Sequence, residues 1–294
     1  MQDKVCLVTG GASGLGVAIV TAVVEAGAKV VIADIQMDRA LRLADKLGPA
    51  ARVTECDVRE ESQIEDAINF TRTTCGGLDC MVNNAGVLGA LGPITEMDTA
   101  EFDATLQVDL RSVFLGTKHA AKVMKANGTR GTIVNMGSVC SVRCGLDPVA
   151  YEVAKVGVKA ITEGAACELA PDRIRVNCVA PGAVAGPMVS TLISGDPDGD
   201  SAAFLKDFTP GGEPLLPENI ASTVLYLASD MSKGVTGHTV IVDNGWLLGI
   251  GGRPTPNTSL RMPMLNEAGK LGLNKDQGQF PGFAKAEYYK KPEL

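Results

Sequence analysis

An apolar run, Val5-Cys6-Leu7-Val8, leads without a break into Thr9-Gly10-Gly11-Ala12-Ser13-Gly14-Leu15-Gly16, and a helical stretch follows over residues 14–26. That order constrains the fold more than any other feature of the chain. An apolar strand without alternation is buried on both faces, as in parallel sheets covered by helices. Glycines at 10, 14 and 16 permit a tight turn. They also let backbone N–H groups approach a pyrophosphate at a helix N-terminus. The spacing is G-x-x-x-G-x-G rather than G-x-G-x-x-G. Gly10, Ser13, Gly14, Leu15 and Gly16 are therefore the candidate phosphate loop.

The strand–helix unit then repeats. Gly27 ends the first helix, a favoured residue just past a helix terminus, and Lys29 to Ala33 reads as the second strand. Further strands are predicted near 52–55, 79–82, 132–136, 174–179 and 239–242. Helices are predicted over 62–74, 100–126, 150–169 and 218–228. Seven strands alternating with helices predict a Rossmann-type α/β fold, a doubly wound parallel sheet forming one domain over residues 1–250. Abundant glycine (34 residues) and scarce aromatics (4%) suit closely packed helix-on-sheet layers.

Residues 251–294 differ in character, with six Gly, five Pro and seven Lys or Arg against four Asp or Glu. That composition reads as a C-terminal extension. Disorder is one reading. Docking on the core or on a sister subunit is the other, because Phe280, Phe283, Tyr288 and Tyr289 lie there.

Several function classes are disfavoured. A net charge of −7 makes nucleic acid and anionic membrane poor partners. No apolar run approaches the roughly 20 residues of a membrane span. No secretion or transit segment is recognisable at the N-terminus, so a cytoplasmic location is expected. The eight cysteines form no C-x-x-C and read as reduced. Two histidines, His119 and His238, are too few for a His-rich zinc site, so no metal is expected.

The ends of the strands hold the remaining polar candidates. Asp34 ends the second strand, eighteen residues after Gly16. A carboxylate there accepts hydrogen bonds from an adenosine ribose and repels a 2′-phosphate, which favours NAD over NADP. Ile35 adjoins it. Asp57-Val58 ends the third strand, where a carboxylate can reach the adenine amino group, and Asn84-Ala85-Gly86 ends the fourth. Ligands of open α/β sheets bind outside such strand ends. Tyr151 and Lys155 are four residues apart and share a helix face. A neighbouring ammonium favours phenolate and is expected to lower the Tyr151 pKa, suiting it for proton exchange with an alcohol or carbonyl oxygen. Ser138 precedes Tyr151 by thirteen residues and can hydrogen-bond the same oxygen. Pro181-Gly182, with Val184 beyond, ends the sixth strand, where the chain could wrap a nicotinamide.

Thr9–Gly16, Asn83–Gly86, Ser138, Tyr151-x-x-x-Lys155 and Pro181-Gly182 together resemble the short-chain dehydrogenase/reductase family in order and spacing, over about residues 3–248. The segments Gly116–Ala121 and Arg175–Val179 are similar to members that oxidise alcohols on terpenoid, lignan or steroid skeletons. The resemblance implies hydride transfer between NAD and a secondary alcohol or ketone. It assigns Tyr151 the proton, Ser138 the substrate oxygen and Lys155 the nicotinamide ribose. It also implies a homo-oligomer, a tetramer or dimer, paired through the helices at 100–126 and 150–169.

Three positions depart from the family pattern. Val108-Asp109-Leu110 stands where Val-Asn-Leu is usual, which places Asp109 among the catalytic candidates. Gly186 replaces a Thr that contacts the carboxamide, and Ala154 replaces a Ser before the Lys. Asp109 and Gly186 motivate an alternative, a non-redox cyclase or isomerase on the same scaffold. A catalytically silent NAD-binding protein is a third reading. The segment from Pro181 to Pro217 carries Met188, Leu192, Ile193, Phe204, Leu205 and Phe208, so a largely apolar small-molecule substrate is expected.

Overall fold

The structure is a computed structural model, and residues 1–197, 199–206, 209–210 and 212–248 are described. The extension at 251–294 and Phe208 lie outside the described residues. Seven parallel strands form one sheet: β1 (Val5–Thr9), β2 (Lys29–Asp34), β3 (Ala51–Glu55), β4 (Cys80–Asn83), β5 (Thr132–Met136), β6 (Arg175–Pro181) and β7 (Thr239–Val242). Their order is β3-β2-β1-β4-β5-β6-β7. The order reverses between β1 and β4, and the carboxyl ends of those two strands open a crevice there.

Helices cover both faces. α1 (Leu15–Glu25), α2 (Met37–Leu47) and α9 (Pro217–Ala228) pack on one side. α3 (Glu61–Cys75), α5 (Ser112–Ala126) and α6 (Val149–Leu169) pack on the other. The strand period of two explains the division: Cys6 and Val8 point to the first layer, and Leu7 to the second. Ile19, Val20 and Val23 of α1 meet Ile220, Val224 and Leu227 of α9 above the sheet. Ile64 and Ile68 of α3 meet Leu115 and Met124 of α5 below it. All but Leu115 and Ile64–Ile68 among these are completely shielded, and each such side chain contributes about 1.5–3 kcal/mol.

α2 fills the gap between β2 and β3 as the strand–helix alternation predicts; it is amphipathic and buries Ala40. One feature differs from the sequence expectation. The helix expected over 100–126 is broken instead into α4 (Thr99–Leu106), a π-helical turn (Gln107–Arg111) and α5. Asp98 caps α4 through bonds from the N–H groups of Ala100 (2.7 Å) and Glu101 (3.1 Å). The wide turn carries Asp109 inward. Such turns recur at functional sites. The segment from Pro181 to Pro217 contributes two short helices, α7 (Pro187–Ser194) and α8 (Ser201–Leu205). Among the described residues, no helix is long and apolar enough to cross a membrane.

Candidate active site

One continuous cavity follows the crevice from the glycine turn to α7, and nearly every sequence candidate lines it. At one end lie Gly10, Ser13, Gly14, Leu15, Asp34 and Ile35. Gly10 adopts φ +63°, and a Cβ there would come within 2.8 Å of the Ala85 backbone. Gly14 adopts φ +51°, and the nearest atom a Cβ there would meet is Pro187 Cδ at 3.9 Å, so the backbone is left uncrowded for a ligand's approach. Gly16 does not face the cavity. Any Cβ on it would lie 2.0 Å from the Gly10 carbonyl, so its smallness lets α1 pack under the turn.

Asp34 is buried, and the backbone aims its carboxylate. Oδ2 accepts from Ala12 N–H (2.9 Å) and Oδ1 from Gln36 N–H (2.9 Å). Each oxygen retains acceptor capacity for a ribose hydroxyl. Gln36 lines the same end, and its Oε1 is buried without a partner. These acceptors and the open glycine turn fit the adenosine and pyrophosphate of a dinucleotide. Asp57 and Val58 also line the cavity, but the Asp57 carboxylate is already held by the Arg59 guanidinium, at 3.0 Å from Nε to each oxygen. Burial acts to raise the Asp57 pKa, and Arg59 overcomes it and holds the group below its ordinary value. Reaching an adenine amino group requires sharing that carboxylate with Arg59.

Asn84, Ala85 and Gly86 form the cavity floor. The Asn84 side-chain amide donates to the carbonyls of Thr9 and Gly10, both at 3.0 Å, and so braces the glycine turn. Pro181, Gly182 and Val184 form the opposite wall. A Cβ on Gly182 would lie 2.9 Å from the Asp243 side chain, so the strand end can pass there only as glycine. Gly186 lines the cavity with open space where a side chain would stand, and Ala154 is fully buried inside α6.

Ser138, Tyr151 and Lys155 converge at the chemical end. Ser138 lies past β5, its Oγ accepting from Cys140 N–H at 3.3 Å. Ser141 ties that loop to α6: its Oγ accepts from Ser138 N–H (3.2 Å) and donates to the Lys155 carbonyl (2.7 Å). The three polar groups are thus held on two elements bonded to one another. Lys155 Nζ donates to the Met136 carbonyl at 3.3 Å and stands 5.2 Å from the centre of the Tyr151 ring.

Asp109 stands behind Lys155, fully buried and out of the cavity. One carboxylate oxygen accepts from Val87 N–H at 2.8 Å; the other lies 3.7 Å from Lys155 Nζ, an ion pair too long for a hydrogen bond. Burial raises the Asp109 pKa, opposed by Lys155 and the Val87 N–H. Asp109 therefore faces Lys155 rather than the cavity.

The Tyr151 phenol corrects a sequence expectation. Its pKa lies well above the ordinary value, not below it. Burial is the largest cause, followed by the charges of Asp147 and Asp109; the Ser138 hydroxyl is the neighbour that pulls it down. Two acidic groups therefore surround a tyrosine that the sequence pairs only with a lysine.

The sequence reading names neither Asp147 nor Glu152. Glu152 Oε1 accepts from the N–H groups of Gly145 (2.6 Å), Leu146 (2.7 Å) and Asp147 (2.9 Å). A glutamate next to Tyr151 offers no local signal that it folds back onto its own helix N-terminus. Of the apolar residues expected around the substrate, Met188 and Leu192 line the cavity. Ile193 lies outside the lining, as do Leu205, which is buried elsewhere, and Phe204, which is exposed. Trp246, past β7, completes the wall.

A family model described as enoyl-(acyl carrier protein) reductase matches residues 10–247. The chain is 42% identical over 248 residues to a mitochondrial borneol dehydrogenase of Lavandula x intermedia, covering 83% of this chain and 91% of that one. It is 39% identical over 255 residues to (+)-borneol dehydrogenase 2 of Salvia officinalis, covering 84% and 90%. It is 35% identical over 249 residues to a (+)-cis,trans-nepetalactol synthase of Nepeta racemosa, covering 84% and 92%.

Proposed function

The chain belongs to the short-chain dehydrogenase/reductase family and is an oxidoreductase, and from that premise we propose that it transfers hydride between NAD and a secondary alcohol or its ketone on a largely apolar skeleton. One observation carries this reading. A single cavity joins the aimed carboxylate of Asp34 to the convergent Ser138, Tyr151 and Lys155.

Asp34 selects NAD. Its carboxylate takes the ribose hydroxyls at the adenosine end and repels the 2′-phosphate of NADP. The bound dinucleotide supplies the hydride acceptor; the chain's residues bind, orient and move the proton. Ser138 Oγ donates a hydrogen bond to the substrate oxygen and orients it. Tyr151 Oη exchanges the hydroxyl proton with that oxygen. Lys155 holds the nicotinamide ribose and sets a positive charge beside the phenol, opposing the upward push of Asp147 and Asp109. Positioning and general acid–base catalysis of this kind typically contribute about 10²–10⁴-fold for the proton transfer alone. Leu88, Val139, Met188 and Leu192 provide the apolar walls.

Two relatives named as borneol dehydrogenases support a cyclic alcohol as the substrate class. A second reading, a non-redox cyclase or isomerase, is favoured by a relative named as a synthase. Incubation of the protein with NAD⁺ and a panel of cyclic secondary alcohols separates the two. The dehydrogenase reading requires growth of NADH absorbance; conversion of a substrate with no change in NADH would establish the other. The same proposal includes a homo-oligomer, supported by Phe114 on α5 and Val153 and Val156 on α6, which stand exposed on neighbouring helices.

A further inference from the structure

At the chemical end of the cavity the lining is apolar except for Ser138, Tyr151, Lys155 and Asp147. The first three have work in the proton transfer, and Asp147 has none. Asp34 and Asp57 belong to the adenosine end, so Asp147 is the one carboxylate that a substrate meets among the described lining residues.

Its position is built rather than accidental. Glu152 gathers the three successive N–H groups of 145–147 and fixes the loop from which Asp147 projects. Pro148 then stands at the N-cap of α6, whose first turn carries Tyr151. The side-chain donor that reaches Asp147 is the Cys140 thiol, at 2.7 Å from Oδ2. A thiol is a weak donor. Burial, then the charge of Asp147, push the Cys140 thiol far up, so it stays protonated and donates. A half-buried carboxylate held by one weak donor in an apolar pocket is undersatisfied, and a ligand that brings a stronger donor relieves it.

We propose that Asp147 is a specificity residue, and that the preferred substrate carries a second hydrogen-bond donor, a hydroxyl or a protonated amine, on the carbon skeleton close to the reacting carbinol. This rests on the secondary-alcohol reading above. Tyr151 and Ser138 take the reacting oxygen, the apolar walls take the skeleton, and Asp147 accepts from the second group. A simple monoalcohol leaves that carboxylate facing apolar surface.

Three cyclic secondary alcohols with matched skeletons test this. One bears a neighbouring hydroxyl, one a neighbouring ammonium, and one a neighbouring methoxy group that can only accept. In the wild type, kcat/KM for the better of the two donors exceeds that for the methoxy compound by about ten- to a hundredfold, as expected of a hydrogen bond to a charged group. Asp147→Leu reduces the ratio to near one. Asp147→Asn separates the sources: an advantage of the ammonium is lost, whereas that of the hydroxyl is largely kept. NADH titration of each variant checks that the cofactor end is intact. If the wild type turns over all three compounds equally, the proposal is overturned while the dehydrogenase reading stands. If none is turned over, the quenching of Trp246, the chain's one tryptophan and a wall of this cavity, still decides. Tighter binding of a donor compound that Asp147→Leu abolishes supports the role of Asp147, and equal binding of all three overturns it.

Discussion

Replacing Asp109 with Asn removes one charge from the site and keeps the side chain's shape. The amide oxygen still accepts from Val87 N–H, now at 2.8 Å from the carboxylate, so the π-helical turn is retained. Asp109 lies 3.7 Å from Lys155 Nζ, and Lys155 Nζ lies 5.2 Å from the centre of the Tyr151 ring. The carboxylate and the ring are therefore at most about 9 Å apart. At an effective dielectric of about 20, that separation is worth about 2 kcal/mol, a little over one pKa unit. The sign follows from the charges. A negative Asp109 disfavours phenolate and raises the Tyr151 pKa, so its loss lowers that pKa. Alcohol oxidation, which needs Tyr151 as a proton acceptor, rises with pH through this pKa. The assay is the pH–rate profile of oxidation for wild type and Asp109→Asn. The pH of half-maximal rate is expected to fall by about one unit in the variant, with turnover retained. An unchanged profile would refute the electrostatic argument. Complete loss of product would instead make Asp109 an acid or base in its own right.

Asp34→Ala combined with Ile35→Arg should shift cofactor preference toward NADPH, measured by fluorescence titration of both reduced cofactors; tighter NADPH binding by the wild type would contradict the NAD assignment. Glu152→Gln leaves three N–H groups around a neutral acceptor and should destabilise the fold by about 1–3 kcal/mol, read from urea denaturation; a loss well under that range would mean the loop at 145–147 is held by other contacts. Light scattering at micromolar concentration should give a multiple of 30.5 kDa, and Phe114→Glu should lower it; a monomeric wild type would remove the proposed pairing of α5 and α6.

Much of this architecture was legible in the sequence because its signals are local. The Val5–Val8 run, the glycines after it and the recurring strand–helix alternation specify a parallel sheet, and all seven strands lie where the apolar runs place them. Tyr151 and Lys155 announce themselves by helical spacing, and Ser138 by its place after a strand. What escaped the sequence depends on contacts between distant segments. Ser141 joins the Ser138 loop to α6 through a backbone carbonyl, and no pattern marks it. Asp147 and Glu152 carry no local pattern that marks them before the fold turns them inward. The π-helical turn at 107–111 adds no residue type that a helix would avoid, so the sequence over 100–126 reads as unbroken. The raised Tyr151 pKa has the same origin, since two of its causes, Asp147 and Asp109, come from outside the Tyr–Lys pair.

The central claim is that Tyr151 exchanges the proton of the reacting oxygen. Tyr151→Phe removes one oxygen atom from the cavity and leaves the ring, Lys155 and the adenosine end in place. Turnover of the best alcohol in the panel should fall by at least about 10²-fold, while NADH titration gives an affinity close to that of the wild type. Activity within tenfold of the wild type, in a variant that binds NADH normally, would remove Tyr151 from the chemistry and contradict the account.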